Sequence, residues 1–219
     1  MRLEYCIRRW LGLTAHRVVR VEEEEHRPGG AANVAVNVAA LGGRASVLGL
    51  VGEDEQGRSL EQLLQQAGVA CRFEKTADAP TITKLRVISR HQQLIRLDFE
   101  SGFPQQAGEG LLESYRRSLD DVDVVVLSDY AKGTLHDIPE LVRLAREADK
   151  RVLVDPKQTD FSAYRGADLV TPNLAELEAV VGRCDSEEQL VERGSRLLEQ
   201  HGLGALLVTR GEKGMTLLQ

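Results

Sequence analysis

The spacing of apolar residues predicts a buried helix near the start of the chain. Residues 31–41 are apolar almost all round, which is typical of a helix that is covered on every side. The two polar positions, Asn33 and Asn37, are four residues apart and therefore share one face of this helix. Two glycines at positions 42 and 43 follow, as expected where a helix ends.

The segments around this helix give shorter signals. Residues 1–21 show no clean helix or strand before positions 18–21, and the acidic run at 22–25 predicts a solvated loop or edge. Residues 47–51 predict a short buried strand, and residues 56–66 predict a helix that a glycine stops.

Two patterns follow in the rest of the chain. Residues 80–89 and 94–99 alternate between apolar and polar positions, which predicts a hairpin joined by residues 90–93. After residue 105 helices and strands alternate, which indicates a parallel sheet with helices on both faces. The predicted helices are 106–119, 138–149, one starting at Asn173, and 186–201 with a Ser-x-x-Gln capping box; the predicted strands are 122–127, 151–154, 168–170, 206–208 and one starting at Met215. Because the hairpin does not fit that sheet, it is predicted to form a separate lid.

Composition and charge exclude several classes of protein. Of 219 residues 42% are hydrophobic and 28% are charged, so collagen-like, disulfide-rich and disordered chains are excluded. No apolar stretch approaches the roughly 18–20 residues of a spanning helix, so we expect no membrane partner. The net charge of −6 argues against a nucleic-acid partner. Cys6, Cys71 and Cys184 are far apart and lack metal-site spacing, which predicts reduced thiols in a cytoplasmic protein.

Four polar loops follow the predicted strands, where ligands bind a doubly wound sheet. The loops are residues 128–133, 155–157, 171–176 and 209–214. Lys132 and Lys157 lie in two of them, and Thr209 with Gly211 and Gly214 lies in another. These groups suit phosphate oxygens, so the four loops together predict an anionic ligand.

Each loop also has a plainer structural interpretation. Asn173-x-x-Glu176 is either a helix N-cap with its N3 glutamate or a pair that orders water around magnesium near nucleotide phosphates. Residues 155–157 are either an ordinary turn or part of the anion site. Gly211 and Gly214 serve either turn geometry or the nucleotide.

Gly29, Gly30 and Asn33 form a further candidate site. Glycines let the backbone approach a ligand closely, and an unpaired buried amide costs about 1–3 kcal/mol. Asn33 therefore bonds either a neighbouring loop or a sugar hydroxyl.

The predicted hairpin is basic although the chain as a whole is acidic. Lys84, Arg86, Arg90 and Arg96 occur with no acid between residues 84 and 97. By strand alternation Lys84 and Arg86 share a face. That face is either simply solvated or a cationic lid over a phosphorylated substrate.

At these positions the chain resembles the ribokinase-like (phosphofructokinase B) sugar kinases. Residues 29–35, with glycines at 42 and 52, follow the spacing of the family's first signature. Residues 171–176 look like its Asn-x-x-Glu motif, and residues 208–214 look like its nucleotide-contacting strand and turn. The chain has no Walker phosphate loop and no G-x-G-x-x-G fingerprint. Kinase chemistry in this chain therefore requires a fold that binds phosphates without either motif.

Longer strings narrow the resemblance to one branch of that family. They resemble the kinase half of the bifunctional heptose 7-phosphate kinase / heptose 1-phosphate adenylyltransferases. The strings are residues 27–35, 80–87, 93–100, 127–133 and 155–157. The resemblance runs from about residue 18 to residue 219, with the lid hairpin at about 80–99.

The resemblance implies a ribokinase-like parallel α/β sandwich with a small β-sheet lid. It implies ATP-dependent phosphorylation of D-glycero-β-D-manno-heptose 7-phosphate at O1, with Mg²⁺, in ADP-heptose and lipopolysaccharide core synthesis. It also implies a cytoplasmic enzyme that forms a homodimer through the lid in the complete protein.

The resemblance implies roles for individual residues as well. Gly29, Gly30 and Asn33 would contact the sugar, while Lys84, Arg86 and Arg96 would face its 7-phosphate. Asn173 and Glu176 would order magnesium through water. The nucleotide and its phosphates would meet Lys132, Lys157, Thr209, Gly211 and Gly214.

The sequence departs from the family in three ways. The Gly-Ala-Gly-Asp segment that carries the family's general base does not occur in it, nor does an adenylyltransferase domain. Residues 1–17 do not match the family's opening strand. We therefore expect a kinase domain truncated at both ends, with little activity alone and an unfinished sheet edge. A kinase for another sugar phosphate and a non-catalytic binding remnant are the alternatives.

Overall fold

Two compact units make up the chain, residues 1–111 and residues 112–219. The computed structural model describes residues 2–6, 10–11, 18–89, 92–104, 108–130, 135 and 137–219. Within these ranges no helix is both long and apolar enough to cross a bilayer.

The first unit contains a parallel strand pair with two helices, a separate four-stranded sheet and a short antiparallel strand pair. Its elements are β1 (Arg2–Cys6), β2 (Trp10–Leu11), β3 (Val18–Val19), β4 (Glu23–Arg27), α1 (Ala31–Ala40), β5 (Ser46–Gly52), α2 (Glu55–Gln66), β6 (Ala70–Thr76), β7 (Thr83–Ser89) and β8 (Gln92–Phe99), after which α3 (Glu109–Ser118) begins. β5 pairs with β6 in parallel, β2 pairs with β3 antiparallel, and the four-stranded sheet has the order β4-β1-β7-β8.

The predicted hairpin forms and belongs to this four-stranded sheet, which we call the lid sheet. β7 and β8 pair antiparallel, and the register shifts between Val87 and Ile88. Residues 90 and 91 of the connection lie outside the described residues. The acidic run predicted as a loop or edge lies in and around β4, at one edge of the sheet.

The prediction of no regular element before residue 18 is wrong. β1 lies inside the lid sheet, where it pairs parallel with β7 and antiparallel with β4. Its sequence Arg-Leu-Glu-Tyr-Cys does alternate between polar and apolar residues, but five residues give a weak signal. β1 forms because it pairs with β4 and β7, and these partners cannot be recognised from its own sequence.

A small apolar core joins α1, β5 and α2. Ala32 and Ala35 of α1 pack with Val51 of β5 and with Leu60 and Leu64 of α2. On the other face of β5, a second cluster contains Leu50, Ala79, Phe103 and Leu111. The predicted strand and helix after α1 are thus confirmed in kind and place.

The prediction that α1 is buried all round is wrong. Val34 and Val38 are 37% and 38% exposed, and Leu41 just after the helix is 89% exposed. Asn33 is also exposed. Apolar composition alone does not show which stripe of a helix is covered, and here the covered stripe consists of small alanines. The energetic argument that Asn33 needs a partner therefore does not hold.

The turn after β5 is tied to the residues before β7 by one carboxylate. Asp54 Oδ1 accepts hydrogen bonds from the Gly57 amide and the Thr81 hydroxyl, both at 2.7 Å, and Oδ2 accepts from the Thr81 amide at 2.7 Å. Partial burial would raise the pKa of Asp54, but these bonds outweigh it and hold the pKa below its ordinary value. This network holds the residues that lead into β7 of the lid sheet against the turn that follows β5.

The second unit is a five-stranded sheet with helices. After α3, its elements are β9 (Val124–Ser128), α4 (Ile138–Glu147), β10 (Arg151–Asp155), β11 (Leu169–Val170), α5 (Leu174–Val181), α6 (Glu187–His201), β12 (Leu206–Thr209) and β13 (Met215–Leu218), with 3₁₀ turns at Leu119–Asp121, Phe161–Tyr164 and Gly211–Lys213. The strand order is β13-β12-β11-β10-β9. Each helix and strand predicted after residue 105 is present, with ends shifted by a few residues.

Two local details of this unit differ from the prediction. β13 pairs antiparallel with β12, because the short 210–214 connection cannot make the long crossover that a parallel pair needs. The capping box of α6 is only half formed. Ser186 accepts from the Gln189 amide, but the Gln189 side chain accepts from the amide of Asp185 instead of that of Ser186.

The two faces of the five-stranded sheet differ in burial. Val125, Leu127, Val152 and Val154 lie on one face and are buried. On the other face Val124 and Val126 of β9 and Met215 and Leu217 of β13 are 42–65% exposed. The prediction of helices over both faces does not hold at these two edge strands. A strand that is apolar at every position is typical of a sheet covered on both faces. The sequence of the strand alone does not show whether other elements cover both of its faces.

We expect Gly57→Ala to destabilise the first unit by about 1–3 kcal/mol. A Cβ at this position would lie 2.6 Å from the Gly52 carbonyl oxygen and 3.0 Å from Thr81 Oγ1. This clash reverses the usual benefit of replacing a helical glycine with alanine. Urea unfolding measures the change.

Gly49→Ala is the matched control, since nothing lies within 4 Å of a Cβ there. It should change the free energy of unfolding much less. Equal stability of the Gly57→Ala variant and the wild type would contradict the packing described at this turn.

Candidate functional site

The carboxyl ends of four strands meet at one edge of the second unit. Asp155 of β10 lies opposite Ser128 of β9, and Val154 lies opposite Val170 of β11. A bridge pairs Asn173 with Thr209 at the end of β12. The described parts of the predicted polar loops therefore share one edge, which we call the carboxyl edge.

Asn173 and Glu176 form a complete capping box at the start of α5. Asn173 Oδ1 accepts from the Glu176 amide, and Glu176 Oε2 accepts from the Asn173 amide, both at 2.9 Å. The geometry thus matches the helix-cap interpretation. The interpretation of the pair as one that orders water around magnesium stays open, because each carboxylate oxygen can accept more than one hydrogen bond.

Lys157 lies at the centre of the charged groups on the carboxyl edge. Its ammonium pairs with Glu176 Oε1 and lies 5.5 Å from the centre of the Tyr130 ring. The bond to Glu176 raises the pKa of Lys157, so the side chain remains a cation. Burial raises the pKa of Asp155, and the nearby Lys157 opposes that rise.

Two residues at this edge were not among the sequence-predicted site residues. Asp129 is only 2% exposed, and its Oδ2 accepts from the Tyr164 hydroxyl at 2.7 Å and from Gln158 Nε2 at 3.0 Å. The signal available in the sequence was an acidic residue directly after a strongly apolar strand. Its partner Tyr164 lies 35 residues away, which no local pattern connects.

The turn after β12 places Thr209, Gly211 and Gly214 at the same edge. The Thr209 amide donates to the Pro172 carbonyl at 2.9 Å, and the Arg210 amide donates to the Gly214 carbonyl at 2.8 Å. Gly211 and Gly214 have φ of 60° and 78°, which side chains rarely adopt. Turn geometry therefore explains both glycines, and the exposed turn leaves their backbone open to a ligand.

The predicted sugar-contacting residues lie in the first unit, at the start of α1. Gly30 occupies the N-cap with φ of 54° and offers no side-chain cap to the helix. Nothing lies within 4 Å of a Cβ at Gly29. Asn33 lies exposed on the first turn. These positions leave the helix N-terminus accessible to a polar ligand.

The predicted basic residues of the lid sheet are partly neutralised. Lys84 Nζ lies 2.6 Å from Glu100 Oε1 and 3.6 Å from Asp98, and Arg96 Nε lies 3.0 Å from Asp98 Oδ1. Arg86 lies directly opposite Arg96. The acids just outside the basic stretch therefore offset its charge, so the lid sheet is less cationic than the sequence spacing suggested.

Lys132, predicted at the carboxyl edge, lies outside the described residues.

The described residues at the carboxyl edge fit magnesium through water rather than as direct ligands. Among the described residues no cluster of three or more His, Cys, Asp or Glu side chains could hold a metal ion. Both Glu176 oxygens already have protein partners. Magnesium usually keeps several waters and takes few carboxylates beside substrate phosphates, so an outer-sphere role suits this donor set.

A cavity of about 400 Å³ lies elsewhere in the second unit. Arg193, Arg196 and His201 of α6 line it together with Asp160 and Phe161. None of the residues predicted from the sequence to form the site belongs to it.

The chain belongs to the pfkB family of carbohydrate kinases, because the profile of that family matches residues 4–219. The parallel sheet with polar loops at its carboxyl edge and the separate lid sheet agree with this assignment.

Two curated relatives match most of this chain. It is 60% identical over 202 residues to the bifunctional protein HldE of Alkalilimnicola ehrlichii and 55% identical over 202 residues to HldE of Pasteurella multocida. Each match covers 92% of this chain and 42% of the relative, so the chain spans less than half the length of these proteins.

Solved structures show the same fold at low sequence identity. The tetrameric inhibited form of phosphofructokinase-2 from Escherichia coli is 21% identical with a TM-score of 0.81, covering 100% of this chain and 73% of that one. The same enzyme in complex with fructose-6-phosphate is 20% identical with a TM-score of 0.79 and the same coverage. The predicted ribokinase-like fold is thereby confirmed.

Proposed function

We propose that this chain is the kinase part of a heptose 7-phosphate kinase, with residues 18–219 as the kinase domain and the 80–99 hairpin in its lid sheet. The reaction is transfer of the γ-phosphoryl group of ATP to O1 of D-glycero-β-D-manno-heptose 7-phosphate, with release of ADP. The observation that carries this proposal is the 55–60% identity to HldE proteins. A kinase for another sugar phosphate is the principal alternative.

The carboxyl edge of the second unit supports the nucleotide half of this proposal. It offers the Lys157 cation, the exposed Gly211–Lys213 turn and the Asn173–Glu176 pair. Phosphoryl transfer relies mainly on positioning and on neutralising charge, which these groups can provide. Bound magnesium would supply further charge neutralisation on the nucleotide phosphates. Glu176 and Asn173 would hold its waters.

The first unit supports the sugar half. The uncapped start of α1 at Gly29, Gly30 and Asn33 can donate backbone and amide hydrogen bonds to sugar hydroxyls. Lys84, Arg86 and Arg96 of the lid sheet would meet the 7-phosphate. Because Asp98 and Glu100 already pair with Lys84, and Asp98 also pairs with Arg96, a phosphate would have to displace ion pairs that are partly exposed and therefore weak.

The experiment that tests the proposal is calorimetric titration of the full chain. We expect binding of ATP that strengthens with magnesium, and binding of heptose 7-phosphate in preference to fructose 6-phosphate.

Glu176→Gln keeps a side chain that can complete the capping box but removes the charge, so the magnesium-dependent part of ATP affinity should fall with little loss of stability.

Glu188→Gln is the matched control, because Glu188 is an exposed first-turn glutamate of α6. It should leave ATP affinity unchanged. Preference for a different sugar phosphate would replace the substrate assignment, and absence of ATP binding would overturn the kinase assignment.

We also propose that the chain forms a homodimer through the lid sheet. Ile95, Leu97 and Phe99 alternate along β8, at the edge of that sheet, and are 47%, 47% and 53% exposed. An exposed apolar stripe on an edge strand favours pairing with a second copy.

Leu97→Lys should shift the chain toward the monomer in sedimentation experiments, because it places a charge within the stripe. Gln92→Lys adds the same charge outside it, at the start of β8, and should leave the dimer intact. A wild-type chain that stays monomeric at high concentration would refute the proposed dimer.

A further inference from the structure

The carboxylate of Asp129 is a costly group to place where it is. It is 2% exposed, and a buried carboxylate is tolerated only when hydrogen bonds replace its water. Two of those bonds come from Tyr164 and Gln158, at 2.7 and 3.0 Å, and the Asp129 amide donates to the Asp155 carbonyl at 3.0 Å. Both side-chain donors belong to the segment that follows β10.

Tyr164 connects this carboxylate to the backbone of the loop that carries Lys157. Its hydroxyl donates to Asp129 and accepts from the amides of Lys157, at 3.3 Å, and Gln158, at 3.1 Å. The tyrosine is fully buried, with its ring edge-to-face against Phe161. Burial and Asp129 both raise the pKa of Tyr164, so the hydroxyl keeps the proton that it donates.

The Lys157 side chain reaches the charged groups of the carboxyl edge from this loop. Residues 156–158 belong to no helix or strand, so neither sheet nor helix bonds fix them. A lysine carries its charge on a flexible four-carbon stem, and the position of its ammonium depends on how firmly its backbone is held. The hydroxyl of Tyr164 fixes this backbone, because it accepts hydrogen bonds from the amides of Lys157 and Gln158.

We infer that Asp129 and Tyr164 are positioning residues, which hold the backbone of residues 157 and 158 so that the Lys157 ammonium lies beside Glu176, ready to meet a nucleotide phosphate. The nucleotide part of this inference rests on the proposed function. Neither residue needs to touch the nucleotide itself. Their effect on binding passes through Lys157.

A double-mutant cycle tests this dependence. Tyr164→Phe removes only the hydroxyl, and we expect it to weaken Mg·ATP binding about tenfold, by analogy with the loss of groups that orient metal-binding side chains. In a Lys157→Met background the same change should cost less than about twofold, because coupled residues are non-additive. Adenosine, which lacks phosphates, should bind the wild type and Tyr164→Phe equally well.

Tyr115→Phe is the matched control for the loss of a buried hydroxyl. Tyr115 is 7% exposed and donates to the Leu141 carbonyl at 2.9 Å, away from Lys157. It should leave Mg·ATP affinity unchanged. An equal loss of affinity in the Lys157→Met background, an equal loss for adenosine, or no effect of Tyr164→Phe would each overturn the inference.

A second measurement needs no nucleotide. Reductive methylation keeps the lysine charge and gives each lysine a methyl resonance. The Lys157 resonance should move toward that of solvent-exposed lysines in Tyr164→Phe and stay in place in Tyr115→Phe. If the wild type does not bind Mg·ATP, the proposed function fails, and this resonance alone decides whether Tyr164 positions Lys157. An unmoved resonance would show that it does not.

Discussion

One buried carboxylate, that of Asp129, constrains the carboxyl edge of the second unit. Because it cannot keep its water, it requires donors, and Tyr164 and Gln158 provide two of them. Those donors bring the segment after β10 back toward the end of β9, although residues 156–158 of this segment belong to no helix or strand. This arrangement agrees with the positioning role inferred above for Asp129 and Tyr164.

At the same edge, the two carboxylate oxygens of Glu176 make different contacts. Glu176 caps α5 with one oxygen and neutralises Lys157 with the other. Glu176 therefore keeps a negative charge beside a positive one at the edge where a nucleotide would bring several negative charges. Tyr130, over whose ring Lys157 lies, and Asp155 complete the surroundings of that cation.

The sequence predicts the regular elements well and the long-range pairings poorly. The helices and strands after residue 105 and the 80–99 hairpin follow from periodicity, because each signal is local. β1 and the Asp129–Tyr164 bond were missed, since both depend on partners distant in the chain. The burial of α1 and the charge of the lid sheet were overestimated. Composition did not show which helix stripe is covered, and the neutralising Asp98 and Glu100 lie just beyond the basic stretch.

We propose that the carboxyl edge of the second unit receives the nucleotide phosphates. Amide hydrogen exchange of the full chain with and without Mg·ATP tests it most directly. Slowed exchange should concentrate at residues 129–130, 155–158, 173–176 and 209–214, with adenosine alone protecting far fewer of them. Protection by bound Mg·ATP that leaves these four segments unchanged, and falls instead on the cavity beside α6, would contradict the claim.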